Sequence, residues 1–323
     1  MIKYYLKLHS IIILLGFTAI LGQLISCSPV LIVLYRSLIA TCGLFFLIKL
    51  RQKEIKIETK SILVLLAVGF LMGFHWLCFF GSARLSTVSV SLVAYSTTSF
   101  FSCLLEPLIK KTRINWVEVA FGSVAIIGIG IIFNFEFKYF SGIALGLLGA
   151  FLAALFSIFN SNLTHRLDSL VISFYELLGS FLTVLILLPF FTHYKFIKWS
   201  DLLISSQDWL WLSILGIICT VIPYVEMLKL LKRISVFSAN LSLNMEPIYG
   251  VVMAFIFFGG KEKMSSGFYL GGILVFFSVF LQPLLHSHKK KPFLAYRKGF
   301  FKGKIYLFLS VTFVELVNTA CGI

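Results

Sequence analysis

"RLSTVSVSLVAYSTTSF" (residues 84–100) lies over "RISVFSANLSLNMEPIY" (residues 233–249) when the chain is shifted by 149 residues. Ser86 then meets Ser235, Ser89 meets Ser238, Leu92 meets Leu241 and, further on, Gly122 meets Gly271. No gap is needed through three successive apolar runs. At a shift of 140, "LYRS" (34–37) falls on "FYEL" (174–177), and the nine-residue difference fits the longer loop before Trp209. Such self-similarity is the mark of a duplicated unit. Chance likeness between apolar helices is the competing explanation.

What is duplicated follows from composition. Of 323 residues, 59% are hydrophobic and 13% are charged, and the mean hydropathy is +0.99. A soluble domain carries about 25% charged residues, so the apolar excess is too large to be one core. It reads as a polytopic membrane protein. Ten runs are long enough to cross a bilayer, which takes ~20 residues: Ser10–Ser26, Val30–Leu50, Ile62–Ala83, Val88–Ile109, Trp116–Phe135, Ser141–Asn160, Leu170–Phe191, Trp209–Leu230, Val236–Gly259 and Gly267–Leu285. They are apolar on nearly all faces, without the alternation of a barrel strand, so the expected fold class is all-α. Residues 1–27 are read as a first span rather than a cleaved leader.

Five spans repeated as five place the second copy upside down. The expectation is two inverted repeats, residues 8–136 and 140–285, followed by a basic tail, 286–323. Inverted repeats enclosing a site near the bilayer midplane are a common build of secondary transporters. Lys and Arg set the orientation. With the N-terminus inside, inner segments hold 14 and outer segments 6, so both termini are expected in the cytoplasm. The net charge of +15 is therefore topological, and no nucleic-acid partner is expected. The tail stretch "HSHKKKPFLAYRKGFFKGK" (286–304) should lie on anionic lipid headgroups. Residues 305–322 are short and contain Glu315, which favours an interfacial segment over an eleventh span. The six cysteines show no metal or disulfide spacing. No P-loop, GxSxG, HExxH or kinase motif is present, so no catalytic residues, cofactor or metal are expected.

A charge at mid-bilayer costs roughly 2.5–3.5 kcal/mol on insertion scales, so each one needs a reason. Glu246 lies mid-span, followed by Pro247, which frees the carbonyl of Leu243. Asn240 and Asn244 share a face, with Ser238, Ser242, Glu246 and Tyr249 beside them. This polar half-surface reads as a cavity wall with a protonatable carboxylate. The alternative is a neutral Glu246 bonded to a neighbouring helix, with Pro247 as a packing kink. Under the repeat Tyr95 falls on Asn244 and Thr97 on Glu246, and Ser91, Tyr95, Thr98 and Ser102 line one face of the fourth span. Hydroxyls of that kind often bond their own helix instead.

Arg36 and Glu176 are repeat mates of opposite sign. They lie about 12 Å and 10 Å deep from opposite faces at the helical rise per residue. Arg36 reads as a cation for an anionic substrate group or as partner of a titrating Glu176. A static ion pair fixing helix register is the alternative. His75 and Trp76 fall on Tyr224 and Val225. A cavity lining is one reading, and a core histidine bonded to a backbone carbonyl is the other. The candidate substrate-binding residues are thus Arg36, His75, Tyr95, Thr98, Asn240, Asn244 and Tyr249, and the candidate proton carriers are Glu176 and Glu246. Burial raises a carboxyl pKa toward neutrality in general, as coupling requires. Glu106 with Lys110, and Glu226 with Lys229, read as interfacial ion pairs. Gly69-x3-Gly73, Gly142-x3-Gly146 and Gly267-x3-Gly271 permit close helix contact.

"YR" (35–36) against "FYE" (174–176), "FHWLCFFGSARLSTVSVSL" (74–92), "LLEPL" (104–108), "CTVIPYVEMLKLLKRISVFSANLSLNMEPIYG" (219–250) and "GFYLGGILVFFSVFLQPLL" (267–285), in that order and spacing, resemble the EamA branch of the drug/metabolite transporter superfamily. The likeness covers roughly residues 8–285. It implies alternating access without ATP, with proton coupling as a candidate, and movement of a small amino-acid-like or drug-like metabolite, often outward. The expected setting is the cytoplasmic membrane, with a homodimer as the candidate assembly. A non-transporting sensor or assembly subunit and an integral-membrane lipid-modifying enzyme are the competing classes. The tail after Lys291 departs from the family pattern.

Overall fold

A computed structural model of the chain describes residues 2–135, 137–232, 239, 242–243, 245–258, 265–267, 269–274 and 277. The described residues form helices joined by short linkers and contain no strand. The helices are α1 (Ile2–Leu24), α2 (Pro29–Leu50), α3 (Thr59–Leu85), α4 (Val88–Tyr95), α5 (Thr98–Lys110), α6 (Trp116–Phe135), α7 (Phe140–Leu163), α8 (Ser169–His193), α9 (Ser206–Ser213), α10 (Ile222–Leu231) and α11 (Glu246–Phe258). A π-helical stretch, Ile214–Val221, joins α9 to α10. Among the described residues seven stretches are long and apolar enough to cross a bilayer, counting Val88–Lys110 and Ser206–Leu231 as one each. The chain is a multi-pass membrane protein. Most of the expected tenth span, the basic tail and residues 305–322 lie outside the described residues.

The helix ends follow from local chemistry. Ser28 caps α2 ahead of Pro29, which needs no N–H partner at the first position. Thr87, Asp168 and Ser205 cap α4, α8 and α9 by accepting from Val90, Leu170 and Asp208 amides. The fourth span is not one unbroken helix. It turns at Ser96–Thr97, where three successive hydroxyls bond carbonyls three residues back: Ser96 to Val93 at 2.6 Å, Thr97 to Ala94 at 2.7 Å and Thr98 to Tyr95 at 2.6 Å. The amides of Ser96 and Thr97 bond the same Val93 and Ala94 carbonyls, both at 3.2 Å, so the backbone groups at the break stay paired in an apolar setting.

Packing places α3 at the centre, against α7 and α8, with α2 on the far side of α8 and α1 along α11. In lipid no hydrophobic force drives helices together, so close approach and good packing must. A Cβ on Gly69 would sit 2.2 Å from the carbonyl oxygen of Glu176, so α3 and α8 touch backbone to backbone there. Gly142 and Gly146 let α7 close on the small side chains of Ser82, Ser86 and Ala94.

The two ends of the bundle are tied differently. Where α1 ends, Arg84 donates to the carbonyls of Gly22, Ile25 and Cys27. Asp208 accepts from the amide and hydroxyl of Ser26 at 2.7 and 2.5 Å, and the Tyr35 hydroxyl donates to the Leu202 carbonyl at 2.6 Å. Where α1 begins, ion pairs dominate: Lys53 with Asp168, Lys7 and Lys229 with Glu226, and Lys110 with Glu106. The last two acids hold the lysines that their helical spacing predicts.

Candidate functional site

Between these ends lies a cavity of about 100 Å³, walled by α1, α2, α3, α4, α7, the π-helical stretch, α10 and the start of α11. Arg36 reaches it from α2 and is 2% exposed. Its Nε donates to Thr220 Oγ1 at 2.8 Å, and that hydroxyl donates on to the Leu215 carbonyl at 2.6 Å. The second bond spans five residues, the repeat of a π-helix, so the irregular stretch places the acceptor that Arg36 needs. The guanidinium carbon stands 3.9 Å from the Trp76 ring centre, and Nη1 has no hydrogen-bond partner. A desolvated cation over an indole face gains about 2 kcal/mol, which offsets part of its burial cost. Among the described residues no carboxylate oxygen lies within 4.0 Å of it.

Glu246 faces the same cavity from the first turn of α11 and is 5% exposed. A carboxylate is favoured at a helix N-terminus. His75 lines the cavity while its Nδ1 bonds the Gly149 carbonyl at 2.9 Å. A carbonyl only accepts, so Nδ1 carries the proton of that bond. Both sequence readings of His75 therefore hold together. Tyr95 closes α4 and packs 5.3 Å from the His75 ring and 5.7 Å from Phe79. Phe156 from α7 completes an aromatic wall.

The other expected residues lie elsewhere. The Thr98 hydroxyl is committed to the Tyr95 carbonyl and does not line the cavity, and Ser102 bonds Thr98 in the same way at 2.8 Å. Tyr249 sits in the α1–α11 contact, its hydroxyl 3.1 Å from His9 Nδ1. Asn240 and Asn244 lie outside the described residues. Glu176 is fully buried, behind the cavity wall rather than in it. It does not pair with Arg36. Its Oε2 accepts from Asn160 Nδ2 at 3.2 Å and from the Tyr224 hydroxyl, while Oε1 has no partner. Depth along a helix axis allowed the ion pair. The rotation of α8, fixed by its contact with Gly69, turns the carboxylate toward α7 and α10 instead.

Asn160, Thr220 and Tyr224 are lining residues that the sequence reading did not single out as site residues. Tyr224 carried one signal, since it falls on His75 under the repeat. Asn160 carried another, as a fully polar amide at the end of an apolar run.

The sequence profile described as the EamA-like transporter family matches residues 3–134 and 140–282. The chain is 26% identical over 249 residues to the uncharacterized transporter YxxF of Bacillus subtilis (strain 168), covering 76% of this chain and 78% of that one. It is 26% identical over 277 residues to the uncharacterized transporter YdfC of the same organism, covering 82% and 86%. A solved crystal structure superposes with a TM-score of 0.66 at 16% identity, covering 89% of this chain and 99% of the other, which is a likeness of fold alone. With apolar helices surrounding a buried cavity and a family profile that spans most of its length, this chain belongs to the EamA-like transporter family.

Proposed function

We propose that the chain is a secondary transporter that moves a small metabolite with an anionic group across the cytoplasmic membrane by alternating access. The observation that carries this reading is a single cavity shared by a buried Arg36, with no carboxylate bound to it, and the carboxyl of Glu246. Arg36 takes the anionic group, and Trp76, Tyr95 and Phe156 enclose its apolar body. One cation cannot balance both a substrate anion and an ionised Glu246 in a low-dielectric space. Substrate occupancy and protonation of Glu246 are therefore linked, which is the requirement for proton coupling. Glu176, the other candidate carrier, reaches the cavity only through Asn160 and Tyr224.

The architecture that goes with this function is ten spans in two inverted five-helix repeats, residues 8–136 and 140–285. Both termini are cytoplasmic and the basic tail rests on anionic lipid. The direction is outward, which the substrate's own gradient can drive, with the proton setting the pH dependence. Flux of a small-carboxylate panel in proteoliposomes tests the reading. Arg36→Gln should abolish uptake, and Glu246→Gln should flatten its dependence on pH. Glu246→Gln flux that follows pH as wild type does rules out this carrier. Binding without flux would instead favour a sensor.

A further inference from the structure

We propose that Glu176 is a positioning residue: it locks the Asn160 side chain so that its carbonyl oxygen serves the cavity as a hydrogen-bond acceptor. The cavity then selects carboxylates that carry a hydroxyl donor on the adjacent carbon, as 2-hydroxy acids do. This rests on the reading of the cavity as an anion site and adds a second contact to it.

With Glu176 Oε2 as an acceptor, the network allows one orientation. Tyr224 donates its only hydroxyl proton to Glu176 Oε2, so toward Asn160 it can only accept. Asn160 Nδ2 meets that hydroxyl at 2.8 Å and the same Oε2 at 3.2 Å. A flipped amide would turn its oxygen onto two acceptors. Amide orientation is settled by such accounting, and here both donor directions of Nδ2 are taken. What remains is Asn160 Oδ1, on a residue 1% exposed that lines the cavity, with no hydrogen-bond partner.

Arg36 and Asn160 are held by two residues on either side of the junction between the π-helical stretch and α10. Thr220 holds Arg36, and Tyr224, four residues on, holds Asn160. One cavity thus holds a cationic donor and a neutral acceptor, the pair that a carboxylate with a donor on the adjacent carbon requires. Glu176 acts in this scheme through an acceptor oxygen, not through a proton it carries. An oxygen that accepts two hydrogen bonds suffices, and glutamine has one.

The test is equilibrium binding to the purified full-length protein in nanodiscs. The two probes have the same charge, 2-hydroxy-4-methylpentanoate and 4-methylpentanoate, so Glu246 meets the same ligand charge in both. Wild type should bind the hydroxy acid about tenfold more tightly, the effect of one buried hydrogen bond gained or left unmade. Glu176→Gln should keep that ratio. Glu176→Leu and Asn160→Leu should bring it to about one while binding of 4-methylpentanoate persists. If Glu176→Leu binds neither acid, Tyr224→Phe decides: its ratio must fall. A ratio that survives Glu176→Leu and Tyr224→Phe, or collapses equally in Glu176→Gln, overturns the proposal. Equal binding of both acids by wild type, lost on Arg36→Gln, removes the Asn160 contact and leaves the anion site. No binding of either acid by wild type overturns both.

Discussion

Gly69→Ala probes the contact on which the site's geometry depends. The added methyl would sit 2.2 Å from the Glu176 carbonyl oxygen and 2.9 Å from its carbonyl carbon and Cα. These are backbone atoms, so no rotamer change relieves the clash. Ordinary contact begins near 3.4 Å, and α3 and α8 must part by about 1 Å. A gap of that size forfeits up to half of the dispersion energy along an interface. Gly73 against Ser180 and Gly179 against Leu66 belong to the same seam. Overpacking of this kind costs roughly 1–3 kcal/mol, and because backbone meets backbone the upper end applies. Alanine returns about 1 kcal/mol of helix propensity, which leaves a net loss of about 2 kcal/mol. Gly130→Ala in α6 is the control, since a Cβ there meets nothing within 4 Å. It should gain up to about 1 kcal/mol. Reversible unfolding of both variants in mixed detergent–SDS micelles gives the comparison. Equal stability of Gly69→Ala and Gly130→Ala would refute the backbone contact, and with it the account of how Glu176 is aimed.

Arg36→Lys keeps the charge but loses the Nε bond to Thr220 and the planar stack on Trp76; titration with 4-methylpentanoate should show binding at least about tenfold weaker. Burial pushes the Cys27 thiol up to about 12, with the Asp208 charge adding to it. On the order of one thiol in ten thousand is then ionised at pH 8. Iodoacetamide should label Cys27 slowly in the folded protein and faster in Asp208→Asn, and rapid labelling at Cys27 itself, read by peptide mass alongside the exposed Cys42, would contradict this environment. For Asp168, burial raises the carboxyl pKa, but the Lys53 bond and the Leu170 amide outweigh it and hold the pKa below the usual range. Its stabilising contribution is therefore present above the unfolded value near 4 and lost as pH falls through the folded one. The exposed ion pair should contribute less than about 1 kcal/mol. Asp168→Asn, which keeps a helix cap, should flatten the loss of stability below pH 4 relative to wild type.

Much of the fold is readable from one dimension because lipid leaves the backbone little choice. A long apolar run must be helical, and α6 begins and ends where the sequence reading put it, at Trp116 and Phe135. Charges inside such runs are rare and costly, so Arg36, His75, Tyr95 and Glu246 stood out, and the structure brings these four to one cavity. The i,i+4 pair of Glu106 and Lys110 was legible for the same reason, since helical geometry alone brings the two together. The break after Tyr95 was not, because a run of hydroxyls is equally compatible with a straight helix. Nor was the partner of Glu176. Sequence gives its depth but not the direction it faces.

The amino-acid order by itself determined an all-helical membrane chain, the ends of α2, α3, α6, α7 and α8 to within a few positions, and the few polar groups that had to find company in an apolar medium. Only the tertiary structure decided which company. Glu176 meets Asn160 and Tyr224 rather than Arg36, and Arg36 meets Thr220 and the face of Trp76. Hydrogen bonds are set over fractions of an ångström, and at that scale the rotation of one helix against another is fixed by backbone contacts such as Gly69 on Glu176, which are long-range in sequence and leave no periodic trace in it.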